Sequence, residues 1–164
     1  MNKEQNLRRK TIRLLILFIV LLALSGITAF PLEWELSLLV QWTNKAPDFM
    51  KDWAANVYLA IRDTNTRYPF MAYGTDWLAF AHLVIAVSFI GPLRDPVKNI
   101  WVIQFGMIAC VMVFPLAFIC GPIRHIPFYW QLIDCSFGIF GLIPLYFCQK
   151  YILQIEKLNL KPCH

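Results

Sequence analysis

Charge is what this chain has least of. Asp, Glu, Lys and Arg make up 15% of its 164 residues, against 59% hydrophobic residues and a mean hydropathy of +0.55. A surface in contact with water needs more charge than that, which argues against a soluble enzyme and against a disordered chain. Other motifs are missing too. The five cysteines (Cys110, Cys120, Cys135, Cys148 and Cys163) include no Cys-x-x-Cys, so a thiol oxidoreductase lacks its reactive pair. No Cys and His stand at zinc-ligand spacing. Histidine is down to three residues, and bis-histidine haem would need a second His at the depth of His82, whereas His125 falls in a loop and His164 at the far end. Neither a cofactor nor a metal is therefore expected. No phosphate-binding glycine loop, nucleophile triad or paired-carboxylate glycosidase pattern is present either.

What remains is apolar sequence in long runs. Stretches at about 12–30, 75–91, 100–120 and 131–148 are each long enough to cross a hydrocarbon core about 30 Å thick at 1.5 Å per helical residue. The expected fold is an all-α integral membrane protein, a single domain over 1–164: a four-transmembrane-helix up-down bundle with one or two extracytoplasmic amphipathic helices. The first span follows a basic segment and could pass for a signal peptide cut after Ala23-Leu24-Ser25. Its apolar run is too long for that, so an uncleaved anchor is expected.

The net charge of +5 is mostly an orientation signal. Lys3, Arg8, Arg9, Lys10 and Arg13 precede the first span, Arg94 and Lys98 occupy the loop after the second, and Lys150, Lys157 and Lys161 follow the fourth. These are ten of the 15 basic residues, and only Glu4, Asp95 and Glu156 accompany them. By the positive-inside rule both termini are cytoplasmic. No nucleic-acid partner is needed to explain the charge. Short loops and the lack of a glycosylation sequon point to a bacterial cytoplasmic (inner) membrane.

The segment at about 31–74 then lies outside. Phe49, Met50, Trp53, Val57, Ala60 and Ile61 recur at helical spacing with Asp52, Asn56 and Asp63 opposite, predicting an amphipathic helix from Asp48 to Arg62 that lies on the outer membrane surface or caps the bundle. Before it, Trp34, Leu36, Leu38, Val40 and Trp42 alternate as a strand would, but no partner strand exists, so a short interfacial helix is expected. Phe128, Tyr129 and Trp130 form an aromatic belt ahead of the fourth span. Gly91-Pro-Leu-Arg94 and Gly121-Pro-Ile-Arg124 look like shared helix-stop chemistry, and Pro115 and Pro144 like kinks. Cys120 and Cys135 flank the last outer connection, where a disulfide is an alternative to two free thiols.

Ionisable residues inside a membrane are costly and mark function or pairing. His82 lies about 9 Å, six residues, inside Asp76, and Asp134 about 6 Å, four residues, inside Trp130. Asp134 shares a helical stripe with Gly138, Gly141 and Leu145, so it should face a neighbouring helix; Ala79 and Ala86 argue the same for His82. With Asp76, Arg124 and His125 nearby, these residues outline an outward-opening polar cleft: Arg124, His125 and Asp76 as ligand-binding groups, and Asp134 and His82 as candidate acid or base. The alternative is structural, with Asp134 paired to Arg124 or His82 to hold helices in register, and His82 a satisfied core histidine.

Asp76 and His82 around the second span, and Asp134 with the spaced Gly138 and Gly141 in the fourth, resemble the small VanZ-like membrane proteins. The match is confined to these few residues. The acid-to-His spacing is longer here, and Cys135 to Phe137 hold no asparagine before the glycine. The resemblance implies an outer-surface role in envelope or glycopeptide response.

The expected function is that of a small non-enzymatic binding or accessory subunit, with membrane lipids, a lipid-linked or anionic ligand, a membrane-protein partner or a second copy as its company. An enzyme acting on a lipid-linked substrate at the outer leaflet is the first alternative. A small transporter is the second, and it has only Gln104 to continue a polar path inward.

Overall fold

The computed structural model describes residues 3–160; Lys161, Cys163 and His164 lie outside them. The described residues form helices joined by short connections, with no strand: α1 (Lys3–Ala29), α2 (Leu32–Thr43), α3 (Asp48–Arg67), a single 3-10 turn (Pro69–Met71), α4 (Ala72–Ser88), α5 (Ile90–Arg94), α6 (Ile100–Ile123) and α7 (Phe128–Asn159). Four helical stretches are long and apolar enough to cross a membrane, namely Lys3–Ala29, Pro69–Arg94, Ile100–Ile123 and Phe128–Asn159. They mark the chain as a membrane protein. Each reaches beyond its apolar run at one end or both, because i→i−4 hydrogen bonding continues through the polar residues that flank it. At 32 residues, α7 is about 48 Å long, well over the hydrocarbon thickness.

The chain divides into two compact units, one of residues 1–20 with 87–164 and the other of residues 21–86. In the first, α6 and α7 form a close antiparallel pair. Gly138 makes that approach possible, because a Cβ there would stand 2.7 Å from the Cys110 carbonyl oxygen. Small residues set interhelical distance where lipid removes the hydrophobic drive to associate. Within this unit Leu15, Phe89, Ile103, Leu145, Cys148 and Ile152 are fully buried in one apolar cluster, with the Phe18 ring 4.8 Å from that of Phe89. Thr11 is buried as well; its hydroxyl donates to the Leu7 carbonyl (3.1 Å), and the Cys148 thiol donates to the Thr11 carbonyl (3.7 Å). The outer face of α6 is apolar and exposed at Trp101, Phe105, Ile108, Met112, Leu116 and Ile119, as a helix in contact with lipid requires.

In the second unit α2 and α3 form a helical hairpin. The alternation of Trp34 through Trp42 is thus carried by a helix, which satisfies its own backbone where no strand could. α3 starts at Asp48 behind Pro47 and runs five residues past the predicted end. An i,i+4 pair between Asp63 and Arg67 (2.9 Å) supports its last turn, and it stops at Tyr68, ahead of Pro69. Gly26 of α1 meets α4 closely: a Cβ would lie 2.8 Å from the Ala79 carbonyl oxygen and 3.0 Å from the His82 Cβ.

The two Gly-Pro-x-Arg segments stop helices from within. Gly91, Pro92 and Leu93 belong to α5, and Gly121 and Pro122 to the last turn of α6. Pro115 and Pro144 likewise lie inside continuous helices. Cys110, Cys120, Cys135 and Cys148 are free thiols, so no bridge links Cys120 to Cys135.

Candidate functional site

The end of α6 builds the site. Arg124 is its C-cap, the His125 amide donates to the Pro122 carbonyl (3.1 Å) and the Ile126 amide to the Gly121 carbonyl (2.9 Å). That is the double hydrogen bond of a Schellman stop, which needs a left-handed residue at its turn; here it is His125, with φ of 56°. Pro127 then admits α7. The buried Gln131 reaches back, its Nε2 donating to the Ile126 carbonyl at 2.8 Å, and it lies over Gly121, where a Cβ would come within 2.5 Å of its side chain. The connection is therefore braced by a glycine, a glutamine and a strained histidine.

Between the helices at this end lies a hollow of about 240 Å³. Arg124 and Asp134 are its charged lining residues; Cys120 and Gln131 also line it, and Leu116 and Ala117 contribute apolar wall. Arg124 is exposed and Asp134 half-buried. Among the described residues no ion pair joins the two, and no hydrogen bond reaches either the Asp134 carboxylate or the Arg124 guanidinium. Two opposite charges thus open on one hollow without neutralising each other.

The other predicted residues are not among those lining this hollow. His125 is exposed and does not line the hollow; its position is accounted for by the helix stop. Asp76 and His82 are on α4, in the unit of residues 21–86. His82 lies on the face that meets Gly26, and its Nδ1 is 2.8 Å from the Leu78 carbonyl. A carbonyl only accepts, so Nδ1 is the donor in this contact. His82 is satisfied by its own helix. No group of three or more His, Cys, Asp or Glu positioned to hold a metal occurs among the described residues.

Gln131 was not singled out from the sequence, where it is merely the first residue of the fourth span. The available signal was a polar amide opening an apolar helix ten residues after a glycine. Chemically, Arg124 can grip a phosphate or carboxylate through two parallel N–H donors, and Asp134 can accept from hydroxyl or amine donors. The Cys120 thiol has no histidine on the same wall to activate it. No protein-family model, curated protein or solved structure matches the chain. The functional assignment rests on these residues alone.

Proposed function

We propose that this chain is a polytopic protein of a bacterial cytoplasmic membrane, both termini inside, that holds the anionic headgroup of a membrane amphiphile in the α6–α7 hollow and serves as a binding or accessory component rather than a catalyst. The observation that carries this is the unpaired Arg124 and Asp134 opening on one space. A pair serving only to hold helices together would be in contact, because two charges that do not meet contribute no attraction between their helices. A headgroup with an acidic centre and a hydroxyl or amine meets both needs, the anion at Arg124 and the donor at Asp134.

Size supports a headgroup rather than a whole ligand. The hollow of about 240 Å³ is below the range of roughly 300–1,000 Å³ in which small molecules are enclosed. Acyl tails would stay in the bilayer along the exposed apolar flank of α6. The orientation rests on the basic residues at both ends and in the loop after α5, with α2 and α3 as the outer, amphipathic helices.

The test is native mass spectrometry of protein released from nanodiscs of mixed phosphatidylglycerol and phosphatidylcholine. Wild-type protein should retain phosphatidylglycerol, and Arg124→Gln should lower that occupancy about tenfold, the equivalent of one charge-assisted hydrogen bond. Asp134→Asn should lower it less, since an amide still accepts. Equal retention by all three proteins, each melting as the wild type does, would refute the proposal.

A further inference from the structure

A second hollow is larger than the one described above. About 610 Å³ in volume, it lies within the unit of residues 21–86, lined by α2, α3, the 3-10 turn and the start of α4. That is the volume of a small-molecule site. Its one ionisable carboxylate is Glu33, and no Lys, Arg or His lines it. Phe30, Trp34 and Tyr58 supply aromatic surface, and Ser37, Thr64 and Thr75 supply hydroxyls.

Glu33 is held in place without being neutralised. Its Oε2 accepts from the Asn65 Nδ2 at 3.0 Å, across the α2–α3 hairpin, and no cation pairs with it among the described residues. Two of the basic residues in this part of the chain are already engaged: Lys51 pairs with Asp48 at 3.2 Å and Arg67 with Asp63 at 2.9 Å. An acidic residue in the first turn of a helix is favoured by the helix dipole alone. Glu35 meets that role in the same turn without lining the hollow, so the dipole does not explain why Glu33 faces a cavity. Residues 21–86 hold six acidic side chains and four basic ones, so the surrounding field favours a cation too.

We propose that this hollow binds an organic cation: an ammonium group seated on the Glu33 carboxylate, with its apolar body against Trp34 and Tyr58. A carboxylate contributes charge and hydrogen bonding, and an aromatic face attracts a cation by its quadrupole, most strongly where water is excluded. The ammonium could belong to a free amine or to an ethanolamine lipid.

The experiment uses the full chain in phosphatidylcholine nanodiscs, titrated calorimetrically with 4-phenylbutylammonium and with the neutral 4-phenylbutanol. Wild-type protein should bind the ammonium at least tenfold more tightly than the alcohol. Glu33→Gln, which keeps an acceptor for Asn65, should erase that preference while leaving the alcohol unchanged. Trp34→Leu should weaken the ammonium more than the alcohol. A parallel set of native mass spectra from phosphatidylethanolamine nanodiscs separates the sources: an ethanolamine lipid retained by the wild type and lost from Glu33→Gln assigns the cation to the lipid. If wild-type protein binds ammonium and alcohol equally, or Glu33→Gln keeps the preference, and the lipid is also indifferent to Glu33, the proposal is overturned. Unchanged melting of both variants ties any loss to the site.

Discussion

The two compact units differ in charge and in packing. Residues 1–20 with 87–164 carry eleven basic side chains and four acidic, and residues 21–86 carry four basic and six acidic. The first buries Leu15, Phe89, Ile103, Leu145 and Ile152 completely, while the buried apolar residues of the second are Leu36, Ala54, Ala79 and Ala86. Three of those four are alanines. A pair of helices brought together by glycine leaves only a small, mostly apolar hollow at its open end, whereas the unit with small residues in its core leaves a larger one. On the proposed reading, the basic unit would offer an arginine to an anion, and the acidic unit a glutamate to a cation.

This contrast is easiest to break by truncation. Leu145→Ala removes a fully buried side chain from the packed cluster and should cost about 2–5 kcal/mol, read from denaturant unfolding in detergent. Leu36→Ala, in the looser unit, should fall at the bottom of that range, about 2 kcal/mol, because its surroundings have less packing to lose. If the two losses are equal, the units do not differ in packing. Gly138→Ala brings a methyl against backbone rather than a movable side chain and should cost about 1–3 kcal/mol, visible as a lower melting temperature. His125→Gly should act in the opposite sense, stabilising by about 1 kcal/mol, because it relieves a left-handed residue. The smallest effect is expected for Gly74→Ala, where nothing lies within 4 Å and the helical gain is at most about 1 kcal/mol.

Much of the fold was legible. The four spans follow from runs of apolar residues that only a bilayer accommodates, and α3 from the spacing of Phe49 through Ile61. The stripe of Asp134, Gly138 and Gly141 was legible too, because small residues at i+4 and i+7 mark a helix contact; Gly138 and Gly141 both meet Cys110. Helix ends were not, since a helix persists into polar sequence until a Pro or a left-handed residue stops it, as at Tyr68 and His125. Half of the candidate site was visible as Asp134 and Arg124. Gln131 was hidden because its role depends on the path of the Ile126 carbonyl, and the hollow at Glu33 because Asn65, which holds that carboxylate, is 32 residues away with no local pattern linking them.

The most direct measurement sets the two sites against each other: native mass spectra of wild type, Arg124→Gln and Glu33→Gln, each released from nanodiscs of phosphatidylglycerol and phosphatidylcholine with 4-phenylbutylammonium added. The account predicts that Arg124→Gln loses the phosphatidylglycerol adduct and keeps the ammonium, and that Glu33→Gln does the reverse. Loss of both adducts in either variant, or of neither in both, would contradict it.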